Sequence, residues 1–77
     1  MDNIDKTVDA RGLPCPMPIV KLSQAIAEIQ IGQVVEIVVT DPSFAPDVEA
    51  WCRKTGHELA GINETEEEIK AYVRKTK

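Results

Sequence analysis

The sequence predicts a two-layer α/β sandwich whose elements run strand, helix, strand, helix, strand, strand. Three observations predict it. A dense β-branched run at Val34, Val35, Ile37, Val38 and Val39 marks a buried central strand. Segments with the apolar spacing of helices lie on either side of that run, so the strands must be joined by crossovers on one sheet. The last segment alternates Ile69, Ala71 and Val73 with Lys70, Tyr72 and Arg74, which is the period of a strand.

Taken in order, Lys6 to Ala10 reads as a short strand with Val8 inward and Asp9 near its end. Gly12 then permits a turn, and Pro14, Pro16 and Pro18 alternate with other residues through Gly12-Leu13-Pro14-Cys15-Pro16-Met17-Pro18. Each proline fixes its own φ, lacks an N–H and biases the preceding residue toward extended geometry. The backbone at Cys15 is therefore expected to be stiff. From Pro18 to Gln30 the apolar residues Ile19, Leu22, Ile26 and Ile29 recur at spacings of three, four and three, one face of a helix. Pro18 sits in the first turn of that helix, where a missing N–H costs nothing, and Gly32 suits its C-terminal cap region.

Gln33 to Thr40 is the central strand. Asp41-Pro42-Ser43 ends it as a turn, with Ser43 the candidate N-cap of a second helix. Pro46 is tolerated in that helix's first turn, and Asp47 and Glu49 suit its positive start. Val48, Trp51 and Cys52 share one face, Arg53 and Lys54 suit the negative end, and Gly56 closes it. His57 to Ile62 reads as a third strand. Glu66 to Lys75 carries conflicting signals: helix propensity with Glu66 and Lys70 at i, i+4, against the strand alternation. The alternation is taken to win.

A chain of 77 residues allows one domain, spanning residues 1–77 without repeats or linkers. Nine basic against thirteen acidic residues give a net charge of −4, which argues against nucleic acid as a direct partner. Phe44, Trp51 and Tyr72 are the only aromatic residues, too few for a base-stacking platform. The acidic start, Met1 to Lys6, lacks the apolar stretch of a signal peptide. The apolar run at Val34 to Val39, broken by Glu36, is far too short for membrane insertion. Two cysteines without a secretory signal do not suggest a disulfide framework, so a cytoplasmic, reducing setting is the expectation.

The chemistry centres on Cys15. An unperturbed thiol with a pKa of about 8.5 is only a few per cent ionised near neutrality. The orphan N–H groups and positive end of the helix starting near Met17 favour the thiolate. A pKa near about 7 makes roughly half of it thiolate while keeping more nucleophilicity than a very acidic thiol has.

Val8-Asp9-Ala10-Arg11-Gly12-Leu13-Pro14-Cys15-Pro16-Met17-Pro18 resembles the signature of the TusA (SirA-like) family of small sulfur carriers. That signature is an Asp, a Gly-Leu pair and a Cys-Pro-x-Pro, here Asp9, Gly12-Leu13 and Cys15-Pro16-Met17-Pro18. Gly32, Asp41-Pro42, Trp51-Cys52 and Gly56-His57-Glu58-Leu59 follow the family's later pattern in order, so the resemblance runs from Thr7 to Lys75. Pro14 stands at a variable position of the motif. The resemblance implies a four-stranded mixed sheet with two helices on one face, like the C-terminal domain of translation initiation factor three. It implies that Cys15 carries sulfur as a persulfide, supported by Asp9, Gly12, Leu13, Pro16, Pro18 and Asp41. It also implies a sulfur-donor protein of the cysteine desulfurase or rhodanese type, and an acceptor that is a DsrE-type relay or a YeeE-type transporter. Uses across the family include tRNA thiolation, sulfur oxidation and thiosulfate handling.

The expectation is thus a sulfur carrier that is consumed and regenerated with each transfer, rather than an enzyme turning over a free small molecule. It needs no cofactor and no metal. Two alternatives stand beside it: a thiol-based redox regulatory module oxidised at Cys15, and an accessory domain for thiosulfate uptake or cleavage. Cys52 reads as a packing residue, with a resolving thiol as the alternative. His57 reads as a structural histidine whose ring hydrogen-bonds the backbone. A metal site built from Cys15, Cys52 and His57 lacks any zinc spacing. Glu64 to Glu68 reads as a solvated loop, with an acidic docking patch as the alternative. Arg11, Lys21, Arg53 and Lys54 read as surface charges, with a basic rim near the thiol as the alternative. Asp9 and Asp41 are expected to accept backbone N–H groups in turns.

Overall fold

The structure, a computed structural model, describes residues 4–14 and 16–77. Its elements follow the predicted order: β1 (Lys6–Asp9), α1 (Met17–Glu28), β2 (Val34–Val39), α2 (Phe44–Thr55), β3 (Glu58–Glu64) and β4 (Ile69–Arg74). The sheet order is β1-β2-β4-β3, with β1 parallel to β2 and the other two pairings antiparallel. This is the mixed four-stranded sheet expected. Both helices pack on one face of it, their buried residues meeting Val35, Ile37, Val39, Ala71 and Val73 in a single core.

Burial along β2 differs from the near-continuous burial that its sequence suggests. Val35, Ile37 and Val39 are fully buried toward the helices, whereas Glu36 and Val38 are only half-buried on the other face. The helix layer covers only one side of the sheet, so alternation returns even in the central strand. Leu22 of α1 and Val48 of α2 are fully buried against this face. Side chains of that kind contribute roughly 1.5–3 kcal/mol each when removed from water. In β4 the alternation wins over helix propensity because the strand pairs on both edges, and Ile69, Ala71 and Val73 all enter the core.

Four local expectations are corrected. α1 stops at Glu28 rather than Gln30, with Ile29 extended at its C-cap. Its end is held from outside: Lys75 Nζ donates to the Ile29 carbonyl at 2.9 Å, and Gln33 Oε1 accepts the Gln30 N–H at 2.8 Å. Gly32 therefore does not cap the helix; at φ 92° it turns the chain into β2 and donates its N–H to the Lys75 carbonyl at 2.7 Å. Ser43 occupies the N-cap position of α2 without capping it, because its hydroxyl donates instead to Asp41 Oδ1 at 2.9 Å. β3 runs two residues past Ile62, carried by the Glu64–Ile69 pairing and a turn closed by Thr65 N–H to the Glu68 carbonyl at 2.9 Å.

Gly56 closes α2 as expected, in the left-handed conformation at φ 88°. Beyond β4, Thr76 Oγ1 donates to the Gly56 carbonyl at 2.7 Å. With Lys75 on Ile29, the final residues hold the C-terminal ends of both helices. Among the described residues, no helix is long and apolar enough to cross a membrane.

Candidate functional site

β1 runs parallel to β2 and α1 follows β1, so the loop carrying the proline motif forms at the C-terminal ends of both strands. It is tethered from its first residue. The Ala10 N–H donates to the Val38 carbonyl at 2.8 Å, which prolongs the β1–β2 ladder by one bond. Asp9 folds back over the turn: Oδ1 accepts the Arg11 backbone N–H at 3.1 Å and Nε at 2.9 Å, and Oδ2 accepts Nη2 at 3.0 Å. Those side-chain bonds, with the backbone bond beside them, bring the Asp9 carboxyl down to about 2 and raise the Arg11 guanidinium.

Gly12 turns the chain at φ 77°, a conformation that suits glycine, and its N–H donates to Thr40 Oγ1 at 2.9 Å. The Leu13 N–H reaches back to the Ala10 carbonyl at 3.4 Å, and its side chain packs against the core. Cys15 lies outside the described residues. On its far side the Met17 N–H donates to the Pro14 carbonyl at 2.9 Å, and Pro16 is the N-cap of α1. Pro18 is buried in the first turn of α1, as its lack of an N–H allows. No acidic residue occupies that turn. Pro14, Pro16 and Met17 are exposed, so the loop presents an apolar rim to solvent.

Asp41 fastens the neighbouring helix in the same way as Asp9 fastens the loop. Its Oδ1 accepts the Ser43 N–H at 3.0 Å, and its carbonyl accepts the Phe44 N–H at 3.1 Å. The Ser43 backbone bond, then the Ser43 hydroxyl, hold its carboxyl below the usual range. Pro16, Pro18 and Ile19 face Asp41, Phe44 and Asp47 across a narrow crevice between the two helix starts. Both aspartates expected to accept backbone N–H groups therefore do so, and Asp9, Gly12, Leu13, Pro16, Pro18 and Asp41 gather at one end of the sandwich.

The charged residues are arranged differently from a basic rim. Arg11 is held by Asp9, and Lys21 lies on the α1–β1 side with Lys6, Gln24 and Glu28. Arg53 and Lys54 stand in the last turn of α2, at its opposite end from the crevice. The charges beside the loop are acidic instead: Glu64 to Glu68 line a groove of about 150 Å³ together with Thr40 and Pro42.

Cys52 is 5% exposed in the core, and burial pushes its thiol up to about 11. That is the packing role expected of it. His57 likewise serves the fold: its Nδ1 accepts the Thr76 N–H at 3.2 Å, and its ring lies 5.6 Å from that of Trp51. Burial, then Lys75 and Lys77, lower its pKa. Among the described residues no group of His, Cys, Asp and Glu is arranged to hold a metal ion. Thr40 is the site residue that sequence reasoning missed. A threonine ending a strand carries no motif, and its partner lies 28 positions away.

Comparison with known proteins agrees with this architecture. A solved structure of a SirA-like protein from Desulfitobacterium hafniense superposes with a TM-score of 0.81, covering 94% of this chain and 99% of that one. At 23% identity this is a likeness of fold. The chain is 43% identical over 68 residues to YrkF of Bacillus subtilis, covering 88% of this chain but only 37% of YrkF's own length. It is 38% identical over 71 residues to the sulfur carrier protein TusA of Pseudomonas entomophila, covering 92% of this chain and 89% of that protein. The family profile described as sulfurtransferase TusA matches residues 6–75, from the first residue of β1 to just past the last of β4. With the whole sandwich inside that match, the chain belongs to the TusA family.

Proposed function

We propose that this protein is a sulfur carrier that accepts sulfane sulfur as a persulfide on Cys15 and passes it to a partner protein. The observation that supports this best is the loop itself. Asp9, Val38, Thr40 and Pro14 tether the residues on both sides of position 15, and that position immediately precedes the N-cap of a helix whose first turn carries no acid. Orphan N–H groups and the dipole at such a helix start favour a thiolate.

The step itself is an exchange. The Cys15 thiolate attacks the outer sulfur of a donor persulfide, the donor's S–S bond breaks, and the donor leaves as a thiolate. Cys15 then holds the terminal sulfur as a persulfide anion, and the same exchange run against an acceptor thiolate returns it to the thiolate. One sulfur atom moves and no external oxidant or reductant is consumed, so no cofactor is required. A donor of the cysteine desulfurase or rhodanese type and an acceptor of the DsrE or YeeE type fit this chemistry. The loop's apolar rim at Pro14, Pro16 and Met17 suits contact with either.

The test is sulfur loading read by intact mass. Incubation with a cysteine desulfurase plus cysteine, and separately with thiosulfate, is expected to add about 32 Da, one sulfur atom, as the desulfurase thiolate or sulfite leaves. Cys15→Ser loses the gain and Cys52→Ser keeps it. Equal labelling of Cys52, or no gain with any donor, overturns the proposal. A glutathione or sulfenate adduct on Cys15 without onward transfer favours the redox-module alternative.

A further inference from the structure

We infer that Thr40 is a positioning residue for sulfur transfer, the stop that holds the Cys15 loop against β2. This rests on the carrier reading and names a residue on which that reading's chemistry depends. Gly12 is the loop's most permissive residue. It sits at positive φ, and nothing lies within 4 Å of where a Cβ would be, so no packing of its own holds it in place. Its own N–H is held by Thr40 Oγ1, at 2.9 Å.

The other tethers are of a different kind. Asp9 and Arg11 close a turn within the loop's own base, and the Ala10 and Leu13 bonds are made by backbone. Among the hydrogen bonds of the described loop residues, the Thr40 bond is the one supplied by a side chain from another element. Thr40 directly follows the last residue of β2, the strand paired on both edges, and directly precedes Asp41, which fixes the start of α2. The end of one central strand thus places both the loop and the neighbouring helix start. Releasing Gly12 loosens the turn that leads into α1, leaving the Leu13 packing and the Met17 N–H on the Pro14 carbonyl as the holds on that side. That weakens the fixed approach of the motif to the N–H groups that favour thiolate.

The experiment follows the carbamidomethylation rate of Cys15 across pH, with Cys52 resolved by peptide mass, in wild type, Thr40→Val and Thr40→Ser. Backbone amide exchange of Gly12 is measured by NMR in the same proteins. The Gly12 amide is expected to be protected in wild type and to lose protection in Thr40→Val. The Cys15 rate near neutral pH is expected to fall by up to about fivefold, the factor by which loss of one ordinary hydrogen bond shifts an equilibrium constant, and its pH midpoint to rise. Thr40→Ser, which keeps the hydroxyl, is expected to restore both. A wild-type Gly12 amide that exchanges like unstructured chain overturns the inference whether or not Thr40→Val folds. So does a wild-type pH profile in Thr40→Val, or a failure of serine to rescue. Alkylation needs no sulfur donor, so a protein that never takes up sulfur leaves this result readable. The two proposals can therefore fail separately.

Discussion

Replacing Cys52 by serine exchanges a buried sulfur for a hydroxyl in a core that holds no other polar side chain among the described residues. Burying a hydroxyl without a good partner costs about 1–3 kcal/mol. On a helix, serine can donate to the carbonyl four residues back, here that of Val48, which keeps the cost near the low end, about 1–2 kcal/mol. A domain of this size loses about 4–8 °C of melting temperature per kcal/mol, so a drop of roughly 4–16 °C is expected in thermal unfolding followed by circular dichroism. Cys52→Ala, which leaves a small void but no unmet hydroxyl, tests whether the cost is polar or volumetric. Reactivity supplies the second half of the assay. With its thiol near 11, Cys52 is only about one part in a thousand thiolate at pH 8, and it is 5% exposed. Alkylation of folded protein should therefore label Cys52 only at the rate of local opening, and mild denaturant should raise that rate. A Cys52→Ser protein melting with the wild type, or Cys52 labelling as fast as a free thiol in the folded state, refutes the packing role.

His57 is the only histidine, and its folded pKa is lowered by partial burial of its ring and by the nearby charges of Lys75 and Lys77, while Nδ1 accepts the Thr76 N–H. Its contribution is fully present above the ordinary histidine pKa and is lost as pH falls through that value toward the folded one. Urea unfolding of wild type between pH 7.5 and 5.5 should show that loss, and His57→Asn should flatten it. The Asp9 carboxyl should titrate near 2 by NMR, and Arg11→Ala should return it toward its ordinary 3.8. Gly12→Ala should destabilise by about 1–2 kcal/mol from positive φ alone, because no atom obstructs the new methyl group. Chemical denaturation measures it, and a neutral result removes the argument from backbone strain.

What was legible in the sequence follows from which residues act locally. The β-branched run, the helical spacing from Ile19 to Ile29 and the alternation at Ile69, Ala71 and Val73 report burial, and burial decided the element order. Asp9, Asp41 and Gly56 act within a few residues of themselves, so their turn and cap roles could be read directly. The differences come partly from partners distant in the chain and partly from a local competition, as when Asp41 takes the Ser43 hydroxyl. α1 is cut short by Gln33 and Lys75, and Gly32 serves the Lys75 carbonyl rather than a helix cap. Arg53 and Lys54 are the surface charges they were expected to be, because α2 carries them some 15 Å along its axis, at about 1.5 Å per residue, away from the motif. Thr40 was invisible because its partner is distant: its importance lies in Gly12.

The sheet order carries a consequence for biosynthesis. β2, which supplies Val38 and Thr40 to the loop, gains its second neighbour only from β4, and Val34 to Val39 pair with Arg74 to Ile69. A chain still on the ribosome with β4 unmade has β1 as the one partner for β2, and the side of Val35, Ile37 and Val39 that Ala71 and Val73 should adjoin is bare. The loop anchors and β4 are therefore joined in the same event. Prematurely terminated chains ending before residue 69 are expected to be protease-sensitive and to leave the Gly12 turn without its settled anchor.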